Sequence, residues 1–461
     1  MYQIDFHTPV HVHFIGIGGI SMSGLAEILQ KEGFTVSGSD AADSALTEHL
    51  AALGASVCCG QRAENITDDI DVVVYTAAIH PDNPEYAAAV RKAIPMLSRA
   101  ELLGQIMRNY RTAIAVAGTH GKTTTTSMLS MLLLEAGMDP TITVGGILPE
   151  IGGNIRVGHS HTFLTEACEY TNSYLSFHPT VSIILNIEED HMDFFKDLSD
   201  IRSSFHRFAK LLPSDGLLVL NAQIDHPEEI TEGVQARTVT YGFTGSEDYF
   251  TKTGLVTYNE KGCASFPLYR GEHCLGTISL NVPGAHNVSN ALAALAAALE
   301  LGVDFSRAAS GICRFRGTER RFQYKGEVDG VTIIDDYAHH PSEIRATLQT
   351  AARCPHREIW CVFQPHTYTR TKAFLKEFAQ ALSLADHVVL ADIYAAREQN
   401  TIGISSLDLL GELKELGTDC CYFPSFDEIE KFLSKKYMHG DLLITMGAGN
   451  VLKIGENLLS R

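Results

Sequence analysis

The sequence predicts an α/β protein of three domains. These are a Rossmann-like N-terminal domain, a central P-loop ATPase-type domain on a parallel sheet, and a C-terminal Rossmann-like α/β domain. Three observations carry the prediction. The chain has 461 residues, too many for one ordinary hydrophobic core. Short apolar runs of strand length alternate throughout with stretches of helical spacing, the pattern of mostly parallel sheets. Two glycine-rich turns, Gly16-Ile17-Gly18-Gly19 and Gly118-Thr119-His120-Gly121, each lie between such a strand and such a helix.

Composition narrows the functional classes. Lys and Arg number 36 against 55 Asp and Glu, a net charge of −19. Broad contact with nucleic acid or an anionic membrane is therefore excluded, and any phosphate must be met by local cations and backbone N–H groups. The ten cysteines are scattered, with two adjacent pairs and no Cys-x-x-Cys, so neither a disulfide framework nor a zinc site is suggested. No basic segment followed by an apolar one opens the chain, and no apolar run reaches the length of a membrane span. The expectation is a cytoplasmic protein with no membrane partner.

The first domain is placed at residues 1–110. His11 to Ile15 reads as a buried strand, Met22 to Glu32 as a helix, and Thr35 to Ser37 as a second strand ending near Asp40. An acidic residue about 20 positions after a glycine turn is where a ribose hydroxyl is recognised. Ser21 occupies the place of the third glycine in the dinucleotide fingerprint, which weakens a nicotinamide reading. Asp71 to Tyr75 is another strand, and Thr76 starts the loop at its C-terminal end, the edge where ligands sit.

The central domain is placed at 111–313. Strand Ala113 to Ala117, then Gly118-Thr119-His120-Gly121-Lys122-Thr123-Thr124, then a helix over Ser127 to Ala136 form a nucleoside triphosphate cradle. Backbone N–H groups and the helix start face the phosphates, Lys122 adds a point charge, and the Thr123 hydroxyl can ligate Mg²⁺. Only two residues separate the glycines where the common pattern has four. Strand Thr162 to Thr165 ends at Glu166, a carboxylate for a hard cation. Strand Val181 to Leu185 leads to His191, which either joins a metal or bonds Asp190 or Asp193 in a turn. An antiparallel portion is expected over Asp248 to Leu280. Asn287 and Asn290 open an Ala-rich helix, either as caps or as amides reading an adenine edge.

The third domain is placed at 314–461, with strands Val331 to Ile334, Ile359 to Phe363, His387 to Ala391 and Leu442 to Thr445. Arg320 and Arg321 form a basic pair that suits phosphates or ion pairs. Asp335 and Asp336 precede Tyr337 and the pair His339-His340, whose spacing is not that of a zinc protease. His366-Thr367-Tyr368-Thr369-Arg370 follows a strand, and the Arg370 fork suits a carboxylate. The alternative for this run is a solvated helix start.

Together these motifs resemble the Mur ligase family of cell-wall biosynthesis. Gly118 to Thr124 is similar to that family's shortened phosphate loop. Asn186 to Asp193, Asn287 to Asn290, Gly317 to Phe322 and Asp335 to Pro341 are similar to its later signatures, in order. Gly16 to Gly24 and Phe363 to Thr371 resemble most the branch that joins L-alanine to UDP-N-acetylmuramate. The resemblance implies ATP and Mg²⁺ as cofactors, small-molecule substrates only, and a monomer or homodimer. It implies Gly118, Thr119, His120, Gly121, Lys122, Thr123, Thr124, Asn287, Asn290, Arg321 and Asp336 around ATP. Thr123, Glu166 and His191 are implied for the metal; Gly16, Gly18, Gly19, Ser39, Asp40 and Thr76 for the UDP-sugar; His366 and Arg370 for the amino acid. Lys122, Glu166, His191 and His339 are the implied catalytic groups, with His191 or His339 as the proton acceptor. Where many relatives carry Glu-Ala-Asp-Glu-Ser-Asp, this chain has Glu166-Ala167-Cys168-Glu169-Tyr170-Thr171, which leaves the role of the second acidic group open. Ser203 to Phe208 contains no lysine, so no carbamylated lysine is expected. The rival readings are a recycling ligase for a preformed tripeptide, a folate-polyglutamate ligase, a nicotinamide oxidoreductase, and a nucleotide switch without chemistry.

Overall fold

Three sheets carry the computed structural model, which describes residues 2–396 and 398–460. The first contains β1 (His11–Ile15), β2 (Thr35–Asp40), β3 (Ser56–Cys59), β4 (Val72–Tyr75) and β5 (Met96–Ser98). They lie in the order β3-β2-β1-β4-β5, all parallel. Chain order reverses at β1, so the ligand crevice opens beyond Ile15, where Gly16 to Gly19 sits.

The second sheet is built around β6 (Thr112–Ala117), β7 (Thr141–Leu148), β8 (Gly153–Arg156), β9 (Thr162–Ala167), β10 (Val181–Ile184), β11 (Leu217–Asn221) and β12 (Arg237–Gly242). Its far edge adds β13 (Tyr249–Phe250), β14 (Thr257–Tyr258), β15 (Cys263–Arg270) and β16 (His273–Pro283). The strand order is β14-β15-β13-β12-β11-β10-β6-β9-β7-β8, with β16 also on β15. Pairings of β15 with β13, β14 and β16 are antiparallel, as the sequence predicts for this stretch. Strand β6 is flanked by β9 and β10, both parallel to it. Helices cover both faces, which is why Ala113 to Ala117 reads as an unbroken apolar run with every residue 0% exposed.

The third sheet holds β17 (Gln323–Val328), β18 (Val331–Asp336), β19 (Ile359–Phe363), β20 (His387–Leu390), β21 (Asp419–Tyr422) and β22 (Leu442–Met446). The order is β17-β18-β22-β19-β20-β21, with only the β17 pairing antiparallel. The C-terminal ends of β6, β9, β10, β18 and β19 carry the loops described below.

Two helices of the central unit begin earlier than their periodicity predicts. Helix Lys122–Glu135 starts at the lysine, although Thr123 to Thr126 have poor helix propensity. Burial decides: Met128, Leu129 and Leu132 are 0% exposed in one cluster with Leu292, Leu295 and Ile312. Helix His286–Glu300 likewise starts before Asn287, and its cap residue is Ala285. Neither asparagine is therefore an N-cap. No helix among the described residues is long and apolar enough to cross a membrane.

Candidate active site

The phosphate loop is shaped by two glycines. Gly118 and Gly121 have φ of 150° and 82°, where side chains are disfavoured, and a Cβ on Gly121 would lie 2.5 Å from Asn290 Oδ1. The following helix has no side-chain cap, so its first N–H groups stay free to meet an anion. Lys122 Nζ donates to Thr119 O at 3.1 Å and to Glu169 Oε2 at 2.9 Å. Burial works against the ammonium, but Glu169 outweighs it and raises the Lys122 pKa. Glu169, whose role the sequence left open, is thus the resident counter-ion of the loop lysine.

Glu166 is the penultimate residue of β9, opposite Val116 of β6. Its Oε2 accepts from Thr123 Oγ1 at 3.0 Å, and its Oε1 accepts from the Gly145 N–H. Burial pushes its pKa up even against Gly145, Lys122 and Thr123. A carboxylate in that state is short of positive charge. A hydroxyl oxygen and a carboxylate on one spot are donors that suit Mg²⁺, so the residues fit the cation. His191 lines the same cavity, but its ring faces other groups. Nε2 lies 3.6 Å from Glu169 Oε1 and 3.7 Å from Asp190 Oδ2, and the ring stacks on Tyr170 at 4.5 Å. Its backbone N–H also bonds Asp190 Oδ1 at 2.7 Å, so the turn expected as the alternative coexists with a place in the groove. Burial holds His191 below its ordinary pKa despite both carboxylates, leaving the imidazole neutral.

Two connected cavities follow the loop. One, of ≈ 230 Å³, has Asn287, Asn290, Arg321, Asp336 and Thr124 on its wall. The other, of ≈ 470 Å³, has Lys122, Thr123, Glu166, His191 and His339. His120, Gly121, Arg321 and Glu343 line both, so they form one groove. Asn287 Nδ2 donates to Pro283 O at 2.7 Å, and Asn290 Nδ2 to Asn287 Oδ1 at 3.1 Å. Burial raises Asp336 to about 6, although the Phe322 and Ala338 N–H groups and the Thr347 hydroxyl donate to it. The basic pair separates: Arg320 is tied to Asp335 at 3.0 Å and Gly447 O at 2.7 Å, while Arg321 faces the groove.

The third unit closes over this groove through charges that no local motif announces. His120 is 3.5 Å from Glu188 and 3.4 Å from Glu343 of the third unit. Burial opposes its protonation, yet the two carboxylates push its pKa up to about 9. His120 in turn lowers Glu188 to about 2. Ser342 Oγ donates to Glu188 at 2.6 Å, and His340 Nε2 meets Glu189 O at 3.0 Å. Arg370 Nη2 donates to Asp190 Oδ1 at 2.8 Å, and Nη1 lies 3.2 Å from His366 Nδ1. The fork expected on a substrate carboxylate holds a protein carboxylate here, so a substrate at this point must share it. The run is not a solvated helix start: the Tyr368 and Thr369 N–H groups donate to Glu398. His339 Nδ1 lies 3.0 Å from Tyr337 O, and burial, then Arg370, hold its pKa down to about 4 against Glu343.

In the first unit, Gly18 N–H donates to Asp40 Oδ2 at 2.8 Å, so Asp40 braces the glycine turn. A Cβ on Gly16 would lie 3.1 Å from Thr76 Cγ2, which puts Thr76 against the turn. Ser39, expected among the UDP contacts, lies under the same turn. It is 0% exposed beneath the loop, its carbonyl accepting from Gly16 N–H and its hydroxyl donating to buried Glu85 at 2.5 Å. Sequence reasoning missed Glu343 at His120, Glu188 at Ser342 and Asp190 at Arg370, because each pair lies far apart along the chain.

Fold and groove define a nucleotide-binding α/β enzyme whose site is shared between a phosphate-loop unit and the unit folded over it. The family description "Mur ligase family, catalytic domain" matches residues 11–111, "Mur ligase middle domain" 116–298, and "Mur ligase, glutamate ligase domain" 320–449. The chain belongs to the Mur ligase family. It is 62% identical over 461 residues to a UDP-N-acetylmuramate–L-alanine ligase of Agathobacter rectalis, covering 100% of both chains. The crystal structure of the UDP-N-acetylmuramate–alanine ligase of Thermotoga maritima superposes with a TM-score of 0.80 at 29% identity, covering 98% of each chain. A murein peptide ligase from Psychrobacter arcticus superposes at 0.72 with 26% identity and the same coverage.

Proposed function

We propose that this chain joins L-alanine to the lactyl carboxylate of UDP-N-acetylmuramate, converting ATP to ADP and phosphate in the cytoplasm, as a step of peptidoglycan precursor synthesis. The observation that carries this reading is the continuous groove. It runs from the Asn287–Asn290 cavity past Lys122 to His339, with the Arg370–His366 pair beside Asp190. The likeness to alanine ligases along the whole chain supports the same substrates.

ATP lies along the loop, its base by Asn287 and Asn290, and Arg321 and Asp336 on the nucleoside side. Lys122 leaves Glu169 for the phosphates. Thr123 and Glu166, with His191 nearby, hold Mg²⁺, which when bound neutralises charge on the triphosphate. Gly16, Gly18, Gly19 and Thr76, braced by Asp40, receive the UDP end of the sugar nucleotide. Its lactyl carboxylate attacks the γ-phosphate, forming an acyl phosphate and ADP. The alanine carboxylate shares Arg370 with Asp190, which aims the amine at the acyl carbon. His339 takes the amine proton. A carbonyl oxygen only accepts, so Nδ1 carries the hydrogen toward Tyr337 O and Nε2 is left as the acceptor. The tetrahedral intermediate then expels phosphate. Positioning three reactants supplies several kcal/mol of the barrier.

The test is phosphate release from ATP, Mg²⁺ and UDP-N-acetylmuramate, with L-alanine or L-alanyl-γ-D-glutamyl-meso-diaminopimelate as acceptor. Release that needs L-alanine supports the reading. Release with the tripeptide alone overturns it in favour of a recycling ligase.

A further inference from the structure

Among the described residues, two groups of metal-ligating side chains each have their ligand atoms within 4.8 Å of one another, and each shares a residue with the groove wall: His120–Glu188–His340 and Cys168–Glu169–His191. The first is already committed. His340 meets Glu189 O through Nε2 and accepts from Ser342 N–H through Nδ1, while Glu188 receives the Ser342 hydroxyl. A cation there would break the contacts that join the two units.

The second group is different. Glu169 is 2% exposed; its Oε2 holds Lys122, while its Oε1 has no hydrogen-bond partner. That oxygen points toward His191 Nε2 at 3.6 Å, too long for a hydrogen bond. A buried carboxylate oxygen without a donor is unfavourable until a donor or cation meets it. The His191 ring is held in place by stacking on Tyr170, and its backbone N–H is tied to Asp190. Cys168 supplies a sulfur to the same spot. Tetrahedral zinc places its ligand atoms about 3.3–3.8 Å apart, so no pair in the group needs to contract by more than about 1.5 Å.

One sulfur, one carboxylate oxygen and one imidazole nitrogen form a donor set for a borderline or soft ion, not for Mg²⁺. We propose that Cys168, Glu169 and His191 form a site for Zn²⁺ or a like thiophilic divalent cation, with its fourth position open to the groove. On entry the Cys168 S–H bond breaks, the proton leaves to solvent, and a thiolate–metal bond forms with no change of oxidation state. This site differs in its donors from the Thr123–Glu166 pair. Its occupation engages His191 and the counter-ion of Lys122, so zinc inhibits the ligation; that consequence rests on the function proposed above.

The test uses the full metal-free chain, with Co²⁺ as a spectroscopic probe and Zn²⁺ measured by competition with a chromophoric chelator. The expected result is a thiolate-to-cobalt charge-transfer band that saturates at one equivalent. Cys168→Ser and Cys168→Asp both remove that band, with thermal transitions matching the parent. Zn²⁺ affinity falls at least about tenfold in Cys168→Ser, the low end of what losing even an outer-shell partner costs. Zinc inhibition of Mg-ATP turnover weakens in parallel, while turnover without zinc is unchanged. Cys58, Cys59, Cys274 and Cys313 are also exposed, so a band or zinc affinity that persists in Cys168→Ser overturns the site. Absence of turnover with every acceptor overturns the ligase reading alone, because the cobalt spectrum decides the metal site without it.

Discussion

Replacing Lys122 by Met has two consequences that a second substitution separates. The Lys122 and Glu169 side chains are 15% and 3% exposed, and among the described residues their 2.9 Å contact is the one hydrogen bond to the Glu169 carboxylate. Lys122→Met leaves that carboxylate buried and unneutralised beside a neutral His191. Breaking a buried pair from one side costs about 3–5 kcal/mol, and the partial exposure of Lys122 argues for the lower end. About 3 kcal/mol lowers the thermal transition of a unit of this size by about 6–12 °C. Adding Glu169→Gln removes the stranded charge, and deleting both partners of a buried pair is close to neutral. The double variant should therefore recover most of the lost transition temperature, measured by calorimetry. It should not recover ATP turnover, which falls by at least about 10²–10³ once the phosphate cation is gone. Refutation comes from a Lys122→Met variant as stable as the parent, or from a double variant that regains turnover.

Glu166→Gln should raise the Mg²⁺ concentration needed for half-maximal turnover by at least the roughly 10- to 100-fold typical of an outer-shell loss; an unchanged requirement removes Glu166 from the cation. The His120 clamp predicts a pH dependence. Its folded pKa is raised from 6.5 to about 9, so its stabilisation is complete below about pH 6.5 and is lost as the pH rises through about 9. The effect is about 3 kcal/mol. It should appear as a fall in transition temperature between pH 7 and 10 that His120→Gln abolishes. Arg370→Lys keeps the charge but loses the fork that meets Asp190 and His366. It should raise the KM for L-alanine by about 1.5–3 kcal/mol in ΔΔG while leaving the KM for ATP near that of the parent.

What could be read in advance was local. The phosphate loop shows itself because strand, glycines, lysine and helix are contiguous, and each residue type answers one physical need. Glu166 and His191 stand out because each follows an apolar strand of the same sheet. The first turn of the helix after the loop was hidden, since four threonines argue against a helix until Met128 and Leu132 find their core. The Ala-rich helix begins four residues before Asn290, so capping was open in the sequence and closed by the structure. The clamp was unreadable for a different reason. Glu343 and His120 are more than 200 residues apart, as the sequence numbering shows, and an acidic residue at a helix start looks like any other. Only the packing of the third unit on the second brings them together. Arg370 is legible as a fork suited to a substrate carboxylate, but periodicity and spacing do not reveal that Asp190 already fills part of it.

The central claim is that the lactyl carboxylate is activated by phosphorylation before the amide forms. Its most direct test uses UDP-N-acetylmuramate labelled with ¹⁸O in that carboxylate, incubated with ATP, Mg²⁺ and L-alanine, with both products analysed by mass spectrometry. The account predicts one labelled oxygen in each phosphate released and one retained in UDP-N-acetylmuramoyl-L-alanine. Unlabelled phosphate would contradict it, because water rather than the carboxylate would then have taken the γ-phosphoryl group.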